Sequence, residues 1–364
     1  MKLKKITLLS GDGIGPEVSL EAEKLLRLIE KDVDYKFEIT QKDFGGIAID
    51  KYGVPFPEDT LNSCKISDAV LLAAIGGPKY DNLPREKRPE TGLLGLRSEL
   101  KAFANLRPVL IFDSLLDSST LKKEILSGTD LIVVRELTGG LYFGKPKGIE
   151  TKDGEKFGFN TMSYKESEIK RIAKVAFEIA RKRKKKITSI DKANVLDVSQ
   201  LWRDVVIEVS KDYKDILLEH MLVDNAAMQL IRNPNQFDVM LTENMFGDIL
   251  SDEASMLTGS IGMLPSASIG DGTYPAIYEP IHGSAPDIAG KNIANPIAMF
   301  LSVAMMFKYS FNDERVYSSI LETVKTVLDK GFRTKDIFQE GCKLVGTSDL
   351  GNLMVEAFHE MPLL

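Results

Sequence analysis

The sequence predicts an α/β protein built as two domains. Short apolar runs alternate with longer segments of 3.6-residue periodicity over most of the chain, the pattern of strands feeding helices. The length of 364 residues corresponds to about two domains at ~150 residues each. No internal repeat interrupts the alternation.

Taken in order, the apolar runs at 6–9, 35–40, 69–75, 105–111, 131–136, 187–191 and 238–242 read as strands. Periodic segments at 16–30, 90–103, 163–186, 199–210, 224–232 and 243–257 read as helices between them. The clearest stripe is Ile169, Ile172, Val175, Ala176 and Ile179, one face of the 163–186 segment. Toward the C-terminus 295–311, 315–330 and 350–359 read as helices, the first largely apolar and therefore buried. Two stretches break the pattern. Residues 141–161 alternate glycines, charges and aromatics and read as a protruding hairpin arm. Residues 259–295, rich in Gly, Pro and Ser, read as one long functional loop.

Composition narrows the function classes. A hydrophobic content of 43% is too high for a disordered chain. A net charge of −6 supplies no general basic field for nucleic acid. Cys64 and Cys342 alone cannot form a disulfide scaffold or a CxxC site, and His220, His282 and His359 stand at no zinc-ligand spacing. A metal, if used, is a hard ion on carboxylates. The run 293–307 carries Asn295, Pro296 and Ser302 and falls short of the ~18 apolar residues of a membrane span. The N-terminal apolar run is too short for a signal sequence, and the expected location is the cytoplasm.

Several motifs admit both a chemical and a plain structural reading. Gly11-Asp12-Gly13-Ile14-Gly15-Pro16 follows a strand and opens a helix. It approaches the dinucleotide fingerprint, but Pro16 stands at the third glycine position, so a tight turn with proline in the first helical turn is the plainer reading. The basic run Arg181–Lys186 could bind RNA, or simply be solvated at a helix C-terminus. Asp248 and Asp252, four residues apart on one helical face, repel unless a cation or an arginine lies between them. As a pair they read either as surface or, with Asp224, as a hard-cation site. Arg97, Arg107 and Arg135 sit near the ends of a helix and two strands, as surface pairs or as a guanidinium clamp for carboxylates. His282 through Pro296 is a loop of small residues ahead of a helix start, where a ligand can approach the backbone.

Together these residues resemble the decarboxylating dehydrogenases of isocitrate and isopropylmalate. The resemblance runs essentially end to end and is most specific at Asn244–Asp252 and at His282–Pro296. The stretch Arg88–Arg97, with leucines where isocitrate enzymes carry a polar Ser/Asn pair, resembles the isopropylmalate branch. The family implies a non-Rossmann, two-domain fold with a mixed sheet flanked by helices. Residues 1–99 plus 253–364 would form a discontinuous, cofactor-binding first domain. Residues 100–252 would form a second, dimerisation domain, with the arm at about 141–161 reaching a second subunit.

The resemblance also implies roles. Arg97, Arg107 and Arg135 correspond to the clamp on the malate carboxylates, Tyr142 and Lys192 to the acid–base pair, with Asn194 and Val195 beside the lysine. Asp224, Asp248 and Asp252 correspond to ligands of Mg2+ or Mn2+, Asp224 also facing substrate, and Leu93, Leu94 and Val195 to the wall around the alkyl group. Gly77, Pro78, Glu90 and Glu279 correspond to the NAD cradle. So does the loop His282, Gly283, Ser284, Ala285, Pro286, Asp287, Ile288, Ala289, Gly290, Lys291, Asn292, Ile293, Ala294 and Asn295, with Asp287 at the adenosine ribose. The implied reaction is NAD- and divalent-metal-dependent oxidative decarboxylation of 3-isopropylmalate to 4-methyl-2-oxopentanoate, CO2 and NADH, in leucine biosynthesis. The enzyme would be a homodimer whose active site is shared between subunits. The alternative is a sister decarboxylating dehydrogenase acting on homoisocitrate, tartrate or D-malate.

Overall fold

A computed structural model describes residues 2–361. By its internal contacts the chain forms two units, Met1–Ala102 with Ile111–Lys123 and Ser255–Leu364, and Phe103–Leu110 with Glu124–Ala254. The expected boundaries at 99/100 and 252/253 shift by two or three residues, and one segment changes sides: 111–123 belongs with the first unit. Hydrogen bonds hold it there. Arg333 donates to the Ser114 carbonyl at 2.7 Å, and Ser118 donates to the Ile337 carbonyl at 3.2 Å.

The first unit is a mixed sheet in the order Tyr35–Gln41, Lys2–Gly11, Ala69–Ala74, Ile277–Pro280, Pro265–Ile269. The pairs are parallel except the last, which is antiparallel. All six residues of Ala69–Ala74 are buried, as befits a central strand covered on both faces. Helix Ile297–Tyr309 is buried from Ile297 through Phe307 and packs on the 265–269 and 277–280 strands. Helices Gly15–Asp32, Glu314–Asp329 and Thr347–Glu360 complete the layers. The long loop expected at 259–295 is therefore interrupted by two strands. Pro265–Ile269 is mostly Pro, Ser and Ala, and Ile277–Pro280 is only four residues with Glu279 inside it, so neither registers as an apolar run. Short helices Gly46–Tyr52 and Glu58–Ile66 also lie where no element was expected.

The second unit repeats the plan with different strands, ordered Ala104–Leu110, Asp130–Glu136, Val239–Thr242, Lys186–Asp191, Leu217–Leu222. Only the first pair is antiparallel. The edge strand Leu217–Leu222 had no forecast, since its charged and half-exposed residues hide the alternation. Helices Glu166–Arg181 and Asp197–Ser210 pack against each other and onto the sheet. The first ends five residues before the expected 186, because Lys185 turns to a φ of 60° and Lys186 opens a strand. In the same way the helix expected at 90–103 runs Pro89–Glu99, stopped by Lys101 at a φ of 52°. The arm forms as the hairpin Gly148–Lys152 and Glu155–Phe159, exposed along both strands. Among the described residues, no helix is long and apolar enough to cross a membrane.

Candidate active site

The second unit gathers most of the chemistry at the C-terminal ends of its strands. Arg135, near the end of Asp130–Glu136, is 2% exposed. Its Nη1 donates to Asp248 Oδ1 at 2.5 Å, and its Nε and Nη2 donate to Asn244. Arg107 on the neighbouring strand donates to Ser251 at 2.6 Å and to Asp252 Oδ1 at 3.3 Å, with Asp248 at 3.5 Å. Asp248 and Asp252 lie one turn apart on helix Asn244–Ser255, both directed at the guanidinium pair. Tyr142 closes the group, donating to Asp248 Oδ2 at 2.9 Å. Burial, reinforced by the Asp248 charge, pushes the Tyr142 phenol up to about 12. Burial also raises the Asp252 carboxyl, aided by Asp248 and opposed by Arg107 and Arg135. The helix that carries the two acids starts on Glu243, whose carboxylate accepts from the N–H groups of Met245 and Phe246 at 3.0 and 2.6 Å.

Asp224 stands apart from this group. It lies in the first turn of helix Val223–Arg232 and takes Lys192 Nζ at 2.7 Å, a bond that lowers its carboxyl. Asn194 and Val195 follow Lys192 in the same exposed turn. Among the described residues, no three His, Cys, Asp or Glu side chains are close enough together to hold a metal ion. One chain thus offers two half-sites. Asp248 and Asp252 supply hard oxygen donors beside the arginines, and Asp224 supplies a third beside Lys192. The donor chemistry suits Mg2+ or Mn2+, although the three acids do not converge within one chain.

In the first unit, Arg97 near the end of helix Pro89–Glu99 donates through Nη2 to Glu279 Oε1 at 2.7 Å, both side chains under a tenth exposed. Its buried Nε has no hydrogen-bond partner among the described residues, leaving a donor for an anion. Leu94 lies three residues before it and Leu93 four, on the same side of the helix, with Leu93 also packed on the core around Leu9 and Phe44.

The glycine turn at 11–15 is resolved as packing. A Cβ on Gly11, Gly13 or Gly15 would stand 1.9–2.0 Å from the carbonyl oxygens of Ala74, Ser284 and Ser10. Asp12 accepts from the N–H groups of Gly46, Ile47 and Gly76 at 2.7–2.8 Å. The turn instead anchors the 283–295 loop, since Ile14 N–H donates to the Ser284 carbonyl and Ser284 Oγ to the Gly76 carbonyl. Several loop residues are held by this stitching. Asn292 Oδ1 accepts from Ser348 N–H, Asn295 donates to Asp336 and accepts from Ile297 N–H, and Ala294 and His282 are buried. Sequence reasoning did not see that these side chains are occupied. The open part of the loop is elsewhere: Gly283, Pro286, Asp287, Gly290 and Lys291 are exposed. A Cβ on Gly77, Gly283 or Gly290 would meet nothing within 4 Å. Glu90 Oε1 would stand 3.1 Å from a Cβ on Gly76. These small residues border open space, and His282 Nε2, buried without a partner among the described residues, lies at the start of the loop.

Four of the six residues of the basic run are in ion pairs: Arg183 with Asp130 and Asp238, Arg181 and Lys185 with Asp215, Lys186 with Glu219.

Comparison with known proteins decides the family. The profile described as Isocitrate/isopropylmalate dehydrogenase matches residues 5–354. The chain belongs to the isocitrate/isopropylmalate dehydrogenase family. It is 58% identical to a 3-isopropylmalate dehydrogenase of Nitrosomonas europaea over 96% of this chain and 97% of that one. It is 56% identical to a 3-isopropylmalate dehydrogenase of Aquifex aeolicus, covering 98% and 97%. Among solved structures, an isocitrate dehydrogenase from Methylococcus capsulatus superposes with a TM-score of 0.87 at 33% identity, covering 98% of this chain and 100% of that one. The mixed α/β architecture is that of the family, and the members of it that this chain matches at 56–58% are 3-isopropylmalate dehydrogenases.

Proposed function

We propose that this family member catalyses the NAD- and divalent-metal-dependent oxidative decarboxylation of 3-isopropylmalate, working in the cytoplasm as a homodimer. The observation that carries the reading is the convergence of Asp248 and Asp252 on Arg107, Arg135 and Tyr142. A dicarboxylate needs guanidinium donors, a hydroxyl to be oxidised needs hard cation ligands nearby, and a carbanion-like product needs a proton donor. Leucines rather than polar groups ahead of Arg97 suit a branched alkyl substituent, as do the names of the relatives.

In this reading Asp248 and Asp252 of one subunit and Asp224 of the other hold Mg2+ or Mn2+. The loop 283–295 with Gly77, Glu90 and Glu279 holds NAD. When bound, the cation would polarise the C2 oxygen and NAD would accept the hydride from C2. Arg97, Arg107 and Arg135 fix the two carboxylates. Lys192 accepts the hydroxyl proton as hydride leaves. The C3 carboxylate then departs as CO2, and the electron pair left behind forms an enolate. Tyr142 protonates that enolate at C3, yielding 4-methyl-2-oxopentanoate. The Tyr142 hydroxyl, directed at Asp248 Oδ2 beside Arg135, is the acidic proton donor nearest this aspartate–arginine group.

A second subunit is supported by what one chain leaves uncovered. Val195, Leu217, Met228, Ile231 and Ile249 of the second unit are 48–68% exposed, apolar side chains that a second subunit would cover. The two-stranded arm is too small to stand alone. Two free cysteines accord with a reducing compartment.

The test is NADH formation by purified protein with Mn2+ and 3-isopropylmalate, against isocitrate, homoisocitrate, D-malate and tartrate. A clear preference for 3-isopropylmalate is expected. Equal or better turnover of another acid would replace the substrate assignment.

A further inference from the structure

We infer that Asn244 is the positioning residue that sets both the Arg135 clamp and the Tyr142 acid, an assignment that rests on the roles just proposed for those two. Asn244 opens helix Asn244–Ser255 and is 1% exposed. Its amide uses its full hydrogen-bonding capacity. Oδ1 accepts from Arg135 Nε at 3.1 Å and Nη2 at 2.8 Å, and the Asn244 carbonyl accepts a further bond from Nε at 2.8 Å. Nδ2 donates to the carbonyls of Leu137 at 3.1 Å and Gly139 at 3.0 Å. Those carbonyls belong to the turn that leads from the Arg135 strand into Gly140–Tyr142.

Tyr164 seals the arrangement from the other side. Its hydroxyl accepts from Asn244 N–H at 3.0 Å. Its ring covers Gly139 and Gly140, where a Cβ would stand 2.5 and 2.6 Å from Tyr164 atoms. Gly140 also needs its φ of +71°. One amide therefore fixes the plane of a guanidinium with its oxygen and the path of the acid's turn with its nitrogen. Both groups then meet at Asp248, through Arg135 Nη1 and the Tyr142 hydroxyl. Only Asn has this split of two acceptor and two donor sites at this length; Asp has the acceptors alone.

That difference separates the two duties. Asn244→Asp keeps an oxygen for Arg135 and turns the other against two carbonyls, so it should loosen the Tyr142 turn alone. Asn244→Ala should disturb both. The measurements are kcat, the Kd of 3-isopropylmalate by calorimetry, and enzyme-catalysed deuterium exchange at C3 of 4-methyl-2-oxopentanoate, which reads the protonation step without hydride transfer. For Asn244→Asp, kcat and exchange should fall on the order of tenfold with Kd held within about twofold, while Asn244→Ala should also weaken binding on the order of tenfold. Wild-type kcat and exchange in Asn244→Asp would overturn the proposal. So would an equal loss of binding in both variants. Should Asn244→Asp fail to fold by circular dichroism, Tyr164→Phe removes only the hydroxyl. It should lower kcat and exchange by freeing the Asn244 N–H, and unchanged rates there would likewise overturn the assignment. Wild-type enzyme inert toward 3-isopropylmalate would instead refute the function on which the inference rests.

Discussion

Tyr142 donates its phenolic hydrogen to Asp248 Oδ2 at 2.9 Å while Arg135 holds the other carboxylate oxygen at 2.5 Å. Asp248 thus pairs with a buried guanidinium and a phenol, and in the proposed reading it would also offer an oxygen to the cation. An amide in its place keeps the shape and loses the charge. Asp248→Asn should therefore raise the Mn2+ concentration for half-maximal activity at least about tenfold, as expected when one charged ligand is lost from a hard-ion site. The fold should survive, because Arg135 retains its bonds to Asn244. Metal titration of NADH formation, with circular dichroism as control, checks this; an unchanged titration midpoint removes Asp248 from the ligand set.

Lys192 and Asp224 pair with each other and not with the Asp248 group. If the two half-sites of different subunits make one whole site, chains dead for different reasons can repair each other. Lys192→Met and Tyr142→Phe homodimers should each be nearly inactive. After subunit exchange, half the dimers are mixed and each mixed dimer has one intact site, so roughly a quarter of wild-type activity should return. Exchange verified by mass with no recovered activity would mean that each chain works alone.

Much of this site was legible in sequence, and the reasons are physical. Arg135 stood out as a charge ending the apolar strand Leu131-Ile132-Val133-Val134, and Asp248 and Asp252 as like charges on one helical face. Such signals come from desolvation and repulsion, which any fold must resolve. Asn244 and Tyr164 gave no signal, because a buried amide and a buried phenol look ordinary until their partners are known. Periodicity was equally blind to Pro265–Ile269, mostly small residues, and to Ile277–Pro280, four residues long with a buried Glu279. The glycines at 11, 13 and 15 approached a dinucleotide fingerprint broken by Pro16, with a tight turn as the plainer reading. They answer to backbone crowding by Ala74, Ser284 and Ser10, residues far off in sequence or hidden in the turn itself.

His220 makes stability depend on pH. It lies on strand Leu217–Leu222 with both ring nitrogens lacking hydrogen-bond partners among the described residues, and Asp191 nearby is already held by Arg203 at 2.8 and 2.9 Å. Burial lowers its pKa from 6.5, Arg203 lowers it further, and Asp191 opposes them. The unfolded chain therefore takes up the proton first as pH falls through 6.5, and the folded state loses stability below that point. Melting temperatures of wild type and His220→Gln should diverge between about pH 7.5 and about pH 5, the wild type falling more steeply on acidification. Comparing the two cancels groups common to both. Parallel curves would show that His220 does not carry the effect.

In the proposed reading cofactor choice would turn on Asp287, exposed in the loop between Gly283 and Gly290 that has open space beside both glycines. A carboxylate there can accept hydrogen bonds from both ribose hydroxyls of NAD. The 2′-phosphate of NADP would bring about two negative charges against it. Like charges a few ångströms apart at an effective dielectric near 20 repel by several kcal/mol before screening, so about 3 kcal/mol is a reasonable remainder. Ile288 offers no compensating cation, and Lys291 is exposed a helical turn's worth of residues further on. NAD should therefore be preferred by at least about a hundredfold in kcat/KM, since each ~1.4 kcal/mol is tenfold. Replacing Asp287 with Lys and Ile288 with Tyr should shrink or invert that ratio, by removing the repulsion and supplying a cation and a hydroxyl to the phosphate. Wild-type rates measured with each cofactor well below saturation decide the matter: comparable values for NAD and NADP would show that Asp287 does not read the ribose.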